Sequence, residues 1–227
     1  MKQSYEYFFV EEIDSTNRFL RDMVRKGDVS RAAVWASRQS AGRGRLGREW
    51  ISPKGGIYLS LSSPMKVECP HYYTAALGIA AAEVLREEYS DDIFLKWPND
   101  LIVVKKQSGA IHEAKLAGIL AEYIADTPTE HHVVIGIGIN VNTLPSLDAN
   151  IGGFPPISLN TMRKQETPLE PLVKTLIERV SGIWSELECN PSRTMLDVVE
   201  RWKKVTYTLG KIVQIQRRGG VVEGVAK

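Results

Sequence analysis

Ile93-Phe94-Leu95-Lys96-Trp97-Pro98-Asn99-Asp100-Leu101-Ile102-Val103-Val104 holds two short apolar runs around one polar turn. Pro98 fixes its own φ, and Asn99 and Asp100 are turn formers, so Ile93–Trp97 and Leu101–Val104 are predicted to be hairpin-connected strands. Further strand-like runs follow at Leu116–Ile124 and His132–Val141. Lys105–Glu113, which is polar, reads as a hairpin loop between them. Upstream, Tyr5–Glu11, Ala32–Ser37 and the alternating Ile57–Ser62 also read as strands.

Helical segments are interleaved with these strands. Asp14-Ser15-Thr16-Asn17 offers several N-caps. Phe19, Leu20, Met23 and Val24 recur at helical spacing, and Gly27 is a stop signal. His71–Glu88 is an alanine-rich helix, and Leu169–Leu187 and Arg193–Lys203 are two more. Thr143–Thr167, rich in Pro, Gly and Asn, reads as a long surface connection. Strands joined by hairpins but mixed with helices favour an α+β fold with a mixed sheet over a doubly wound parallel one. The character changes at Val205–Lys227, where Ile212–Gln216 alternates, Gly219-Gly220 forms a turn, and Val221–Val225 follows. The division expected is 1–204 as the main domain and 205–227 as a small β segment, too short to bury a core alone.

Bulk properties narrow the function. A net charge of +2 over 227 residues gives no reason to expect nucleic-acid or membrane binding by the whole molecule, so any anion site is local. The two cysteines, Cys69 and Cys189, have neither metal-ligand spacing nor a disulfide framework. No signal-peptide core or membrane-length apolar run is present, so the chain reads as cytoplasmic.

Five short motifs carry chemistry. Gly42-Arg43-Gly44-Arg45-Leu46-Gly47-Arg48-Glu49-Trp50 combines close backbone approach at glycine with guanidinium forks suited to phosphate and carboxylate. It lacks the P-loop pattern, and by itself it also suits a solvated basic loop or an RNA-contacting tract. Lys96-Trp97-Pro98-Asn99-Asp100 sets a lysine and a hard oxygen ligand for magnesium beside a rigid turn. It also suits an ordinary turn. Lys115-Leu116-Ala117-Gly118-Ile119-Leu120 opens an apolar strand on a lysine and interrupts it with a glycine. Gly136-Ile137-Gly138-Ile139-Asn140-Val141-Asn142 leaves one sheet face flat enough to take a ring. Ser15, Thr16, Asn17 and Gln39 offer hydroxyl and amide groups to a polar heterocycle, although helix capping already explains Ser15 and Thr16.

Taken in order, these motifs resemble the biotin protein ligase family, the biotin–acetyl-CoA-carboxylase ligases, over roughly Tyr5 to Asn142. The resemblance implies a sheet-and-helix domain of the class II aminoacyl-tRNA synthetase type, followed by a small SH3-like β-domain. It implies ATP and biotin as substrates, a magnesium ion, and a biotin carboxyl carrier protein as acceptor. Ser15, Thr16, Asn17, Gln39, Gly42, Arg43, Gly44 and Gly118 would then surround biotin, with Lys115 at its carboxylate and the α-phosphate. Arg45, Arg48, Trp50, Lys96, Asn99 and Asn140 would face ATP, and Asp100 with Asn140 the magnesium ion. Lys115, Arg45 and Arg48 would act on the reacting groups. Homodimerisation is an expectation of the resemblance alone. The pattern begins within the first dozen residues, so no DNA-binding helix-turn-helix is expected. At the other end, the SH3-like domain would extend beyond Lys227. Three alternatives stay open at this point: a lipoate or octanoate ligase or transferase of the same fold, a non-catalytic RNA- or nucleotide-binding module, and a catalytically impaired binding or regulatory protein.

Overall fold

A computed structural model describes residues 5–67, 69–107, 109–125, 131–145, 154–217 and 220–227. Seven strands form the main sheet: β1 (Glu6–Ile13), β2 (Ala32–Gln39), β3 (Ile57–Pro64), β4 (Ile93–Lys96), β5 (Asp100–Gln107), β6 (Ala110–Ile124) and β7 (His132–Ile139). Their spatial order is β1-β2-β3-β7-β6-β5-β4. Only β1 and β2 run parallel; the other neighbouring pairs are antiparallel. The parallel pair needs a crossover, and α1 (Thr16–Lys26) supplies it. Ser15 Oγ accepts from Arg18 N at the start of α1. At its end Gly27 adopts φ 78°, a left-handed stop that any side chain would strain.

The two-residue period of the strands gives the sheet two unlike faces. One carries Leu59 and Leu61 of β3, Leu101 and Val103 of β5, Ala117 and Ile119 of β6, and Ile135, Ile137 and Ile139 of β7, all buried in one core. Against it pack α2 (His71–Glu88), α4 (Leu169–Cys189) and α5 (Pro191–Val205). The helix α2 has ten buried residues, including Gly78, and packs on the sheet and on both of the other helices. A Cβ at Gly78 would press on Leu95 and Ile119 at 3.1 and 3.3 Å, so the small residue sets how closely the helix approaches. Trp184 Nε1 donates to Tyr73 O across α2 and α4. Arg201 grips Glu83 with two bonds of 3.0 and 2.7 Å, joining α5 to α2.

The opposite face is covered only in part. There Leu20 and Val24 of α1 pack on Ala32, Val34, Ile124 and Val134 in a second, smaller cluster.

The structure revises two expectations. Lys105–Glu113 is not simply a loop: Val104 pairs with Glu113, Lys105 with His112 and Lys106 with Ile111, so the β5–β6 hairpin runs on through it. Charged residues on a two-stranded, solvated ribbon leave no apolar alternation to read. Part of Thr143–Thr167 is structured as well. It contains α3 (Leu159–Arg163), and Pro156 bridges to Lys115; positions 146–153 lie outside the described residues.

The C-terminal strands β8 (Ile212–Arg217) and β9 (Gly220–Val225) form a separate two-stranded sheet; the expected turn falls partly outside the described residues, at Gly219. Ile212, Val221, Val222 and Val225 stay exposed on it. The segment before it is pinned to β4: Tyr207 N donates to Leu95 O at 2.7 Å, and Trp97 N to Thr208 Oγ1 at 3.1 Å. The Tyr207 hydroxyl donates to Glu113, and its phenol is pushed up to about 12 by burial and then by that carboxylate.

Leu77 is fully buried in α2 where the helix meets the sheet. Leu77→Ala is expected to lower unfolding free energy by about 2–5 kcal/mol, the range for emptying a well-packed leucine site. Urea titration followed by circular dichroism measures this, and a loss below half a kcal/mol would show that the helix–sheet contact is loosely packed.

Candidate active site

The uncovered part of the α1 face is the floor of a cavity of about 800 Å³. Cross-strand pairing builds that floor in rows. Tyr58 of β3 lies opposite Gly138 of β7, Gly138 opposite Gly118 of β6, and Gly118 opposite Asp100 of β5. One step along, Ser60, Gly136 and Leu120 form the next row, and Ser62, Val134 and Glu122 the one after.

Lys115 should not belong to this face. Counting by twos from Gly118 puts odd-numbered residues of β6 in the helix-covered core. The register between β5 and β6 shifts at this point: Leu101 pairs with Ala117 but Ile102 with Lys115, leaving Leu116 as the extra residue of a bulge. The bulge sends Leu116 into the core and re-aims Lys115 to the cavity. Its ammonium lies 2.8 Å from Asp100 Oδ1, an ion pair without an aligned hydrogen bond. The two side chains are 16% and 21% exposed, so the pair is only partly hydrated.

At the other end of the floor stands a polar wall. Ser15, Thr16 and Asn17 are buried at the start of α1 yet line the cavity. Thr16 N and Oγ1 both donate to Gln39 Oε1, at 2.9 and 3.1 Å. Ser60 Oγ shares its proton between Thr16 Oγ1 and Asn17 Oδ1, at 2.8 and 2.6 Å. Asn17 Nδ2 donates to Leu120 O and to Glu122 Oε2. A Cβ at Gly136 would overlap Asn17 Oδ1, so glycine there is what admits the asparagine. With Leu116 taken up by the bulge, about four strand steps separate Lys115 from Leu120, which sets the wall roughly 14 Å from the Lys115 end along β6.

The loop Gly42–Trp50 arches over the floor as a small hairpin. Trp50 N donates to Gly42 O at 2.9 Å and Gly44 N to Arg48 O at 2.7 Å, with a tight turn at Arg45–Gly47. Gly42 sits so close to Trp50 O and Ser52 Oγ that any Cβ would overlap them. Arg45 NH1 reaches across to Asn99 Oδ1 at 3.0 Å. The Trp50 indole lies flat on the glycine row: a Cβ at Gly118 would touch Cζ3 at 3.0 Å, and one at Gly138 would overlap Nε1. The ring seated on the glycine floor is thus the chain's own, with Lys115 Nζ 5.4 Å from its centroid. Tyr58 closes the row; burial pushes its phenol well up, and its hydroxyl donates to Pro53 O.

The cavity therefore gathers Ser15, Thr16, Asn17, Gln39, Arg43, Gly44, Arg45, Arg48, Trp50, Asn99, Asp100, Lys115 and Gly118. Three expected residues do not line it. Gly42 acts through the loop backbone. The Lys96 ammonium lies over the Phe154 ring at 4.9 Å. Asn140 Nδ2 donates to Ile157 O at 3.2 Å, and the residue borders a much smaller recess beside Lys115. Tyr58, Gln214 and the Glu122 that braces Asn17 escaped sequence reading. The alternation of Ile57–Ser62, with Tyr58 and Ser60 on one face, was a usable signal for Tyr58; Gln214 had none, since a separate sheet brings it there.

Residues 9–140 match the Biotin/lipoate A/B protein ligase family. The chain is 41% identical over 135 residues to the Bifunctional ligase/repressor BirA of Salmonella typhimurium, a stretch covering 57% of this chain and 38% of that protein. It is 32% identical over 151 residues to the Biotin--[acetyl-CoA-carboxylase] ligase of Paracoccus denitrificans, covering 64% and 59% respectively. It thus spans about two fifths to three fifths of these relatives. The biotin protein ligase from Aquifex aeolicus in complex with biotin and ATP superposes with a TM-score of 0.78 at 26% identity, covering 97% of this chain and 86% of that one. The Leishmania major biotin protein ligase in complex with biotinyl-5-AMP gives 0.70 at 25% identity, covering 96% and 89%.

Gly138→Ala places a methyl where the Trp50 indole now sits, and a strand paired on both sides cannot move aside. The indole is expected to leave the floor, shifting its emission to the red relative to wild type, with Trp50→Phe as the subtraction reference. Unchanged emission would mean that Trp50 does not rest on the glycine row in solution.

Proposed function

This chain belongs to the Biotin/lipoate A/B protein ligase family, and we propose that it is an ATP-dependent biotin protein ligase. The observation that carries this reading is the buried polar wall of Ser15, Thr16 and Asn17 at one end of a cavity whose other end holds Lys115, Asp100 and the arginine loop. A ligand that fits both ends has a hydrogen-bonding ring at one and an anionic group at the other. Biotin has both, with a cyclic urea and a carboxylate. Lipoate has the carboxylate, but its dithiolane ring offers no hydrogen bond to the donor and acceptor capacity the wall keeps beyond its own internal bonds. Polar groups left unpaired in a pocket are what discriminate most strongly between similar substrates. The relatives and solved structures named for biotin ligation support the same choice.

The reaction has two displacements. The biotin carboxylate attacks the α-phosphorus of ATP, a P–O bond forms, and pyrophosphate leaves with the electrons of the bond that breaks. A neutral lysine amine of the acceptor, a biotin carboxyl carrier protein, then attacks the acyl carbon; the C–O bond of the mixed anhydride breaks, AMP leaves with its electrons, and the nitrogen releases one proton to solvent as the amide forms. Neither step needs a protein nucleophile. The work of the site is to neutralise and align crowded negative charge, which Lys115, Arg45 and Arg48 do from two sides. Among the family ligands, magnesium fits a lone carboxylate here, because it binds through one or two carboxylates together with substrate phosphates. Asp100 is the residue to hold it, with the Asn140 side-chain oxygen a less favourably placed second. When bound, the ion adds positive charge at the phosphates. Lys115 already faces Asp100 and would swing from this carboxylate to the substrate's, so the pair keeps the cation on the cavity face until substrate arrives. The closed loop keeps water from the mixed anhydride.

Biotin-dependent ATP–pyrophosphate exchange tests this reading. Wild type is expected to exchange with biotin and to be about ten-thousandfold less efficient with lipoate. Lys115→Ala is expected to lose roughly a hundredfold or more of the biotin-dependent rate. Exchange with lipoate but not biotin would move the protein to lipoate chemistry, and exchange with neither would overturn the adenylate reading.

A further inference from the structure

Glu122 stands near the inner end of β6, on the cavity face with Leu120 and Gly118, and none of the motifs drew attention to it. Its side chain is 17% exposed and joins three separate elements. Oε1 lies 3.1 Å from Arg43 NH1 in the loop and 3.4 Å from Arg21 NH1 in α1. Oε2 accepts from Asn17 Nδ2 at 3.1 Å.

Two paths lead from this carboxylate to the loop. The first is direct: Arg43 begins the outgoing arm, and its backbone bridges Glu49 on the returning arm. The second runs through the polar wall. Asn17 Oδ1 meets Ser60, Ser60 meets Thr16, and Thr16 donates to Gln39. Gln39 Nε2 then donates to Ser52 Oγ at 2.9 Å, and Ser52 Oγ to Trp50 O at 2.8 Å. Both arms of the loop are therefore tied to one polar circuit, and the wall that would hold a ligand ring is part of that circuit.

We propose that Glu122 is a positioning residue that latches the Gly42–Trp50 loop closed through Arg43 while it orients Asn17, coupling the polar wall to the lid above it. Charge-assisted bonds of this kind are roughly twice as strong as neutral ones. The Arg43 side chain is 37% exposed, so once its partner is gone it turns out into water and takes the outgoing arm with it. Arg21 stays on α1 whether or not the carboxylate is present. Removing the charge thus opens the loop and leaves the fold in place. The consequence for adenylate retention rests on the ligase reading; the latch itself is a property of the ligand-free chain.

The test uses Glu122→Gln, Arg43→Met, the double variant, and Arg21→Met as a control that touches the same carboxylate but not the loop. In the full, ligand-free chain, trypsin cleavage after Arg45 and Arg48 is followed by mass spectrometry. Glu122→Gln and Arg43→Met are each expected to speed cleavage on the order of tenfold, the double variant no further, and Arg21→Met not at all. Biotin is expected to protect the wild-type loop and to protect the Glu122→Gln loop far less. In single turnover, Glu122→Gln is expected to lose bound biotinyl adenylate about tenfold faster than wild type. Cleavage of Glu122→Gln at the wild-type rate, or additive effects in the double variant, would overturn the latch even if wild type forms adenylate normally. Faster cleavage in both single variants, with no adenylate made by wild type, would leave the latch standing and remove the ligase reading instead.

Discussion

The site depends on an imbalance between the two faces of one sheet. Three helices cover most of the first face, and one helix of eleven residues covers part of the second. Strand geometry assigns side chains to these faces in strict alternation, so whatever faces the uncovered area is fixed by residue parity. Gly118, Gly136, Gly138 and Ser60 are small because other groups must lie directly on them, and Tyr58 and Asp100 stand at the ends of the resulting row. A regular β6 would have sent Lys115 into an apolar core, where an ammonium is costly to bury. One extra residue at Leu116 reverses its direction. A single bulge thus separates a buried liability from a cation that faces the cavity.

The loop over the floor follows from the same demand for small residues. Gly42 permits the contact with Trp50 O that closes the hairpin, and the hairpin delivers the indole to the glycine row. The indole covers apolar floor that would otherwise face water. It does so with its Nε1 buried and unpaired, a condition that costs about 1–3 kcal/mol. Apolar coverage and polar dissatisfaction therefore oppose each other at one ring. That balance suits a lid which has to rest on the floor and also leave it.

Much of this was legible in the sequence where local physics decides the outcome. Ser15 and Gly27 mark the limits of α1 because cap chemistry is local, and the hairpin about Pro98-Asn99-Asp100 follows from turn residues. The glycines of Gly136–Asn142 signalled a flat face, and a ring does lie there. What the sequence concealed was non-local. Lys105–Glu113 pairs across a hairpin through backbone bonds that charged side chains do not reveal. Asn140 resembles a strand-end ligand, yet its amide faces the carbonyl of Ile157, a residue supplied by a distant connection. Glu122 reads as an ordinary polar position on a strand. Its importance appears only when α1 and the loop converge on it.

On the proposed reading, the separation of the two ends of the cavity would let one fold serve related acids. There the cationic end and its aspartate would answer to features that any acyl-adenylate shares: a carboxylate, a phosphate and the charge between them. They carry no information about which acid is bound. In the proposed ligase that information would lie in Ser15, Thr16, Asn17 and Gln39, which line the other end of the cavity. These residues are held by α1 and β2, while Lys115 and Asp100 belong to β5 and β6. Specificity can therefore change through α1 and its neighbours without disturbing the bulge that aims the lysine. The fold alone leaves the substrate open. In the proposed ligase the buried hydroxyls and amides of the wall would narrow it, because a ring without polar atoms leaves their remaining hydrogen-bonding capacity unmet.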